Sequence, residues 1–395
     1  MDFSTLAVVV VAGMLGPLLA LPTRWRIPVV IGELVAGVLL GPTFAGYLHA
    51  ANPTFAFLAD MGFALIMFVA GAHVPVRDQA LRGGLAKGAL RAVAVAAVGI
   101  VPAFALAQGF HTGHTALYAV LLASSSAALI LPILDSLHLS GGPDVLALLP
   151  QVAVADTVCI VALPLAVDPA HAARAALGAV AVLGSSFVLF LILRQAERRG
   201  WHRRVHRLSR ERKFALELRI SLAIVFALAA LATHTHVSIM LAGFSFGLVV
   251  AAIGEPRRLA RQLFALTEGF LGPLFFVWLG ASLDLRQLGS HPSAILLGLL
   301  LGAATVLSHA SMRLTGQPLA YGVLASAQLG VPVAAATLGT QLHLLHPGES
   351  AALLLGALVS IAAATAAGAV AARIGTAPPA PPTTGQPTTG QPTAD

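Results

Sequence analysis

Long apolar stretches fill the chain from Thr5 to Ile374, and short polar connections separate them. A helix needs about 20 mainly apolar residues to cross a hydrocarbon core roughly 30 Å thick, where its backbone groups must pair within the protein. The pattern predicts thirteen membrane-spanning helices, over residues 4–22, 27–43, 54–73, 84–108, 114–136, 144–167, 171–194, 214–233, 237–254, 262–283, 292–311, 317–341 and 350–373. The expected fold class is therefore an all-α polytopic membrane protein.

Composition supports this reading and excludes a water-soluble domain. The 395 residues are 57% hydrophobic and 10% charged, whereas soluble domains carry roughly 25% charged residues. The single cysteine, Cys159, cannot form an internal disulfide. Phosphate-binding loops, HExxH helices and nucleophile elbows are absent from the sequence. We therefore expect neither an enzyme nor a bound cofactor.

The formal charge of +7 is mainly an orientation signal. All of the 23 Lys and Arg residues except Arg174 and Arg286 lie in alternate connections between the predicted spans or in the span ends next to them. Basic residues stay on the cytoplasmic side, which predicts an outside N-terminus and a cytoplasmic C-terminus. The basic stretch from Arg194 to Lys213 is interpreted as a cytoplasmic junction between two halves that contacts anionic lipid headgroups, rather than as a nucleic-acid site.

The last twenty residues differ from the rest of the chain. Residues 376–395 are rich in Pro and Thr and have almost nothing apolar to bury, so they are expected to form a disordered cytoplasmic tail. The predicted membrane domain therefore covers residues 1–375.

Asp156 is the acidic residue placed deepest in a predicted span. About twelve residues of its segment lie on either side of it, which puts it near the middle of the membrane. A charged group there costs about 2.5–3.5 kcal/mol on insertion scales. The sequence indicates a carboxylate that binds a cation or a proton, and the alternative is a structural carboxyl that bonds to a neighbouring helix.

Two spans contain polar residues that are typical of interrupted helices. The fifth span has consecutive hydroxyls and a proline, and the twelfth has an amide, a glycine and a proline. These residues are Ser124, Ser125, Ser126 and Pro132, and Gln328, Gly330 and Pro332. Interrupted helices at matching positions, seven spans apart, predict inverted-topology repeats with an ion site at their interface. Serines that serve only helix packing are the alternative.

Other ionisable residues lie nearer the ends of their spans. Glu33, Asp60 and Glu268 are interpreted as structural or gate residues that form ion pairs. His309, toward the cytoplasmic end of the eleventh span, is either a pH sensor or an ordinary hydrogen-bonded histidine. Histidine pairs in the outer loops do not provide the three or four ligands that zinc needs. No metal site is expected beyond that for a transported cation.

Four segments carry a resemblance to a known family: Pro28–Pro42, Leu58–Gly71, Leu241–Leu248 and Gly272–Asp284. In order and spacing they resemble the monovalent cation:proton antiporters of the Kef and Nap type, in the sodium/hydrogen exchanger superfamily. The resemblance implies thirteen helices in two inverted repeats, with a dimerisation domain, a core domain and two crossed broken helices. It also implies a homodimer in the bacterial inner membrane that exchanges a cation for protons by an elevator-like movement.

The same resemblance assigns roles to individual residues. Asp156 is similar to the ion-binding aspartate of the sixth span. The stretches Ser124–Ser126 and Gln328–Pro332 are similar to the two unwound crossings. A fused nucleotide-binding regulatory domain, which is usual in the family, is not expected, because only about twenty residues follow the last predicted span.

The sequence departs from the family pattern at three places. Ala155 stands where electrogenic members have a second acid. A basic residue of the second half would fall near Ser308 or His309, and neither is a strong base. The stretch from Gln328 to Val331 lacks the acid of the family motif.

A single carboxylate that binds either a cation or a proton predicts one-for-one, electroneutral exchange of Na⁺ or K⁺ for H⁺. Two other classes of function stay open. One is a sodium-coupled symporter of an organic anion on a related fold, and the other is a non-transporting membrane sensor.

Overall fold

The structure is a computed structural model, and it describes residues 1–21, 29–72, 74, 76, 79–137, 139, 143–199, 216–235, 237–254, 257–283, 286, 289 and 292–375. Regular secondary structure within these residues is entirely helical. The predicted disordered tail and most of the basic junction lie outside the described residues.

The described helices are α1 (Phe3–Gly13), α2 (Leu15–Ala20), α3 (Val29–Leu40), α4 (Pro53–Ala72), α5 (Gln79–Gly109), α6 (Thr115–Ala123), α7 (Ala127–Ser136), α8 (Pro143–Val167), α9 (Ala172–Arg198), α10 (Leu216–His234), α11 (Ile239–Ile253), α12 (Arg257–Leu266), α13 (Gly272–Ser282), α14 (Pro292–Ala310), α15 (Leu319–Leu324), α16 (Gly330–Gln341) and α17 (Glu349–Gly375). A π-helical turn, Thr267–Leu271, joins α12 to α13, and a 3₁₀ turn, Ser311–Thr315, follows α14.

Each of the thirteen predicted segments overlaps a described helix or a consecutive pair of helices. Within the described residues, nine helices or helix pairs are long and apolar enough to cross a bilayer. Shorter apolar helices occupy 29–40, 239–253 and 330–340. The fifth and twelfth segments each consist of two short helices, α6 with α7 and α15 with α16. The prediction of an all-α polytopic membrane protein is confirmed.

The helices pack into two groups. The first helix group contains α1–α4 and α10–α13, in which α4 packs mainly on α11 and α3 on α13. The second helix group contains α5–α8 and α14–α17, in which α5 packs on α8 and α14 on α17. The long helix α9 contacts α11 of the first group and α8 of the second. Both interrupted spans therefore belong to the second group.

Small residues bring α4 and α11 into close contact. A Cβ added at Gly243 would lie 2.2 Å from the carbonyl oxygen of Ala64, and one added at Gly247 would lie 2.2 Å from that of Phe68. Real Cβ atoms do not approach so closely. The two glycines form a Gly-xxx-Gly pattern, which is typical of membrane helices whose backbones pack against each other.

The outer surface of the helices is apolar. The side chains of Val101, Leu177 and Leu307, for example, are 72%, 72% and 69% exposed. A broad exposed apolar surface is typical of contact with lipid or another protein. The interior, in contrast, contains polar side chains at both interrupted spans, among them Ser124, Ser125, Ser126, Ser326 and Gln328.

Candidate ion-binding site at two helix breaks

The fifth span is interrupted at its three serines. Helix α6 ends at Ala123, Ser124 has extended backbone angles (φ −73°, ψ 151°), and α7 begins at Ala127. Ser124, Ser125 and Ser126 are 0%, 1% and 4% exposed. A helix end leaves backbone N–H or C=O groups without partners in the helix, so this break exposes polar backbone to the protein interior.

The twelfth span is interrupted between Leu324, the last residue of α15, and Gly330, the first of α16. Gly330 and Pro332 lie in the first turn of α16, where a proline loses no helical hydrogen bond. A Cβ added at Gly330 would lie 3.1 Å from Sδ of Met240 and 3.4 Å from Sδ of Met67. The start of α16 therefore reaches the first helix group.

The prediction that Pro132 marks the first break is wrong in position. Pro132 lies inside α7, whereas the chain leaves the helix at Ser124. The reason is that the serines find hydrogen-bond partners outside their own helix, as where the Ser125 hydroxyl donates to the carbonyl of Ala325 at 2.6 Å. The missing N–H of Pro132 removes one hydrogen bond from α7 without ending it.

Asp156 lies on α8 beside the first break. Its side chain is 6% exposed, and Oδ2 accepts the backbone N–H of Ala127 at 3.0 Å. Ala127 is the first residue of α7, so its N–H has no partner in that helix and lies at the positive end of the helix dipole. Among the described residues, no Lys, Arg or His nitrogen lies within 4.0 Å of the carboxylate. In the part of the chain that the structure describes, Asp156 therefore faces a partial helix charge and not a basic side chain.

The two breaks contact each other directly. The Ser125 hydroxyl donates to the carbonyl of Ala325 at 2.6 Å. The Ser124 hydroxyl is hydrogen bonded to Oε1 of Gln328. Nε2 of Gln328 donates to Oγ1 of Thr305 on α14 at 3.2 Å. The structure thus brings together Asp156, the three serines and Gln328, all of which the sequence singles out. Thr305 was not predicted as a site residue, because one threonine in an apolar span gives no distinctive signal.

His309 lies closer to this site than its predicted place near the cytoplasmic end of a span. The eleventh span continues through the 3₁₀ turn to Thr315, so His309 is several residues from its end. Its side chain is 1% exposed, and Nε2 lies 3.2 Å from the carbonyl oxygen of Ser124. A carbonyl oxygen only accepts, so Nε2 carries the hydrogen. Nδ1 has no partner among the described residues.

The three remaining acids belong to the first helix group, away from the breaks. Glu33 on α3 is buried, Asp60 on α4 is partly buried, and Glu268 in the π-helical turn is exposed. The electrostatic neighbour of Glu33 is Glu268, which carries the same charge. No basic nitrogen of the described residues lies within 4.0 Å of Glu33, so the expected ion pair at this residue is not seen there.

Metal ligands do not cluster in the described part of the chain. No group of three or more His, Cys, Asp or Glu side chains is placed there to hold a metal ion. Asp156 and the two breaks beside it offer oxygens of another kind: one carboxylate, serine hydroxyls, a side-chain amide and backbone carbonyls. Such neutral oxygens with one negative charge suit a monovalent cation better than zinc, which prefers nitrogen and sulfur.

Comparison with protein families agrees with this arrangement. The family described as "Sodium/hydrogen exchanger, transmembrane" matches residues 8–373. The chain belongs to the sodium/hydrogen exchanger family. The resemblance found in the sequence is therefore confirmed, and the protein is a multi-pass membrane protein of a transporter family rather than an enzyme.

Several curated proteins of this exchanger family are similar to the chain. A putative Na⁺/H⁺ antiporter, YjbQ of Bacillus subtilis, is 24% identical over 378 residues, which are 90% of this chain and 61% of that protein. A putative cation/proton antiporter, YbaL of Escherichia coli, is 28% identical over 86% of this chain and 63% of its own length. The glutathione-regulated potassium-efflux protein KefC of Cronobacter sakazakii is 27% identical over 73% of this chain and 46% of its own length. The chain thus spans about half to two thirds of these relatives.

A solved exchanger has the same fold. The sodium proton antiporter MjNhaP1 of Methanocaldococcus jannaschii, determined at pH 8, superimposes with a TM-score of 0.62 and 16% sequence identity. The superposition covers 94% of this chain and 96% of MjNhaP1. At this identity the likeness shows a shared fold, so the ion and the mechanism are argued below from the chain's own residues.

Proposed function

We propose that the protein is a secondary active transporter that exchanges Na⁺ or K⁺ for H⁺ at Asp156. The observation that carries this proposal is the buried carboxylate of Asp156, which accepts the first N–H of α7. Among the described residues, no basic side chain lies within salt-bridge distance of it. Burying an uncompensated charge costs several kcal/mol. The carboxylate is therefore neutralised by a proton or by a mobile cation. Because one group binds either ion, the two compete for the same site.

The helix breaks supply the other ligands in this proposal. Ser124, Ser125, Ser126 and Gln328 belong to the two breaks, and Asp156 is bonded to the first of these breaks through the N–H of Ala127. Their oxygens are proposed to complete the coordination of the cation. Carbonyls freed by an unwound helix coordinate Na⁺ in transporters built from broken helices. The amide at the start of α7 stabilises the carboxylate without adding a fixed unit charge.

Electroneutral exchange follows from a single carboxylate. The site gains one positive charge whether it binds Na⁺, K⁺ or H⁺, so the two loaded states carry the same charge. Ala155 provides no second acid beside it. A membrane potential of 100 mV changes the free energy of one elementary charge that crosses the membrane by about 2.3 kcal/mol. It does not act on a cycle in which equal charges move in opposite directions.

Alternating access is proposed to take place between the two helix groups. The crossed breaks and Asp156 all belong to the second group, which would move as an elevator-like core with inverted repeats. The first group would form the dimerisation domain of a homodimer in the bacterial inner membrane, with the N-terminus outside. The close glycine contact of α4 with α11 supports a rigid first group, and the contact of Gly330 with Met67 lies at the surface where sliding would occur.

The experiment is an exchange assay in liposomes that contain the purified protein. A pH gradient is imposed, and Li⁺, Na⁺, K⁺ and Rb⁺ are added in turn. Asp156→Asn is expected to reduce exchange to the level of protein-free liposomes and to abolish thermal stabilisation by the transported cation. Asp144→Asn is the matched control, because Asp144 is an exposed acid in the first turn of the same helix.

Three results would contradict this function. They are robust exchange by Asp156→Asn, a rate that changes with an imposed potential of about 100 mV, and sodium-dependent uptake of an organic anion without proton flux. The first would exclude Asp156 as the ion site, and the second would exclude electroneutrality. The third would favour the symporter class.

A further inference from the structure

A second buried acid lies at the far end of α6, away from the break. Glu349, the first residue of α17, is 2% exposed. Its Oε1 accepts the Tyr118 hydroxyl at 2.7 Å and lies 2.7 Å from Nδ1 of His114. Its Oε2 accepts the backbone N–H of His346 at 2.9 Å. We call these four residues the Glu349 cluster.

The cluster joins the first interrupted span to the connection between the second interrupted span and α17. Tyr118 and His114 belong to α6 and the residue before it, and the opposite end of α6 is the break at Ser124. His346 lies in the connection that follows α16, and the opposite end of α16 is the second break. The Glu349 carboxylate thus connects the far end of α6 to the start of α17 and to the connection that leads there from α16. The near ends of α6 and α16 meet at Ser124 and Gln328.

A simple helix cap does not account for these contacts. An acid in the first turn of α17 would stabilise that helix through the His346 N–H and the helix dipole alone. Oε1, however, bonds to residues 231 and 235 positions away in the chain. The ring centroids of His114 and His346 are also 5.7 Å apart, so the cluster packs as well as hydrogen-bonds across the spans.

We propose that Glu349 is a positioning residue for the cation site and that it sets α6 against α16 so that Ser124 and Gln328 meet. This inference rests on the proposed function. Helix α6 has nine residues, which is about 13 Å of helix, and the chain leaves the helical path at its inner end. Such a short rigid element carries a displacement of its far end to Ser124. The Glu349 cluster holds that far end.

The charge of Glu349 makes the connection strong. Both carboxylate oxygens accept hydrogen bonds from groups that donate, which fits the ionised form. Hydrogen bonds to an ionised acceptor are roughly twice as strong as neutral ones. Removing the Tyr118 hydroxyl weakens the connection while leaving the carboxylate in place, and Tyr118→Phe keeps the aromatic packing.

The test separates cation affinity from turnover in the liposome assay. Tyr118→Phe is expected to raise the KM for the cation about tenfold, the lower end of the scale of one lost charge-assisted hydrogen bond, while the maximal rate per folded protein stays within about twofold. Glu349→Ala should raise the KM further, and Glu349→Gln should restore part of the loss because its carbonyl still accepts from Tyr118. His343→Asn is the control, since His343 is an exposed histidine in the same connection.

Opposite results are clearly distinguishable. A purely structural role predicts less folded protein, a lower maximal rate and an unchanged KM in Tyr118→Phe, and this result would overturn the proposal. If the wild-type protein exchanges no cation, the proposed function fails, and hydrogen exchange then tests the connection. Faster amide exchange in residues 115–123 of Tyr118→Phe, with α5 unchanged, would support it, and equal protection would refute it.

Discussion

The side chains of Ser124 and Gln328 are hydrogen bonded to each other although 204 positions separate them in the chain. Each residue belongs to a different helix break, and Gln328 also donates to Thr305 on α14. The bond therefore couples two halves of the second helix group beside Asp156. Removing either partner destabilises this contact, because the buried group that is left without a hydrogen bond keeps the full free-energy penalty of its desolvation.

A double-mutant cycle tests this coupling. Ser124→Ala and Gln328→Ala are each expected to weaken cation affinity about tenfold, which corresponds to about 1.4 kcal/mol, because either change leaves a buried partner unpaired. The double variant should cost no more than the worse single variant, since both remove the same bond. Affinity is measured by cation-dependent thermal stabilisation.

The control for that cycle is Ser326→Ala. Ser326 is a buried serine of the second break whose hydroxyl bonds to Val323 within its own turn. Its loss should change cation affinity by less than about threefold. Strictly additive effects of Ser124→Ala and Gln328→Ala would show that the two side chains act independently.

His309 provides a second prediction. His309→Gln places an N–H donor where Nε2 donates to Ser124. Exchange should stay within about threefold of wild type from about pH 5 to pH 8, the range in which histidine ordinarily changes charge. His309→Leu removes the donor and should lower exchange about tenfold. Rates are measured in liposomes at each pH.

This pair of variants shows whether His309 stabilises the helix break or carries a proton. If His309→Gln abolished exchange or removed its pH dependence, His309 would be part of the proton pathway, and the pH-sensor interpretation would be favoured. Normal exchange in both variants would exclude a role for the His309–Ser124 contact.

The glycine contact between α4 and α11 yields a third prediction. Gly243→Ala should lower the free energy of unfolding by about 1–3 kcal/mol, because its Cβ would lie 2.2 Å from a backbone oxygen. Gly184→Ala, in the middle of α9 with nothing within 4 Å of the added Cβ, should be neutral or slightly stabilising. Denaturation midpoints in detergent measure both. Equal midpoints would mean that α4 and α11 separate at little cost.

The spans were predictable because hydropathy is a local property of the chain. Even α3 and α11, the short helices of 12 and 15 residues, are found where the apolar pattern predicts them. The serines of the first break were also recognisable, since three consecutive hydroxyls oppose an apolar helix. Pro132 misplaced the break because a proline costs a helix one hydrogen bond, which α7 tolerates.

Contacts between distant residues were not predictable in the same way. The carbonyl of Ser124 accepts from His309, and the Tyr118 hydroxyl donates to Glu349, only because separate spans pack together. Neither pair has a spacing or periodicity that a sequence pattern records. Glu349 in particular looks like an ordinary acid at the start of a span, and only the packed structure shows that it is buried between two spans.

Among the described residues, Asp156 has no basic partner, and this affects how much of the ion gradient the proposed exchange cycle would waste. A carrier with an empty, ionised site would have to move a bare carboxylate through an apolar environment, and that passage carries a penalty of several kcal/mol. Each kcal/mol slows such a step about fivefold. The unloaded protein would therefore rarely change sides, and the ion gradient would not dissipate through futile return steps. The lack of a basic side chain at this carboxylate would therefore couple cation movement tightly to proton movement without a separate gate.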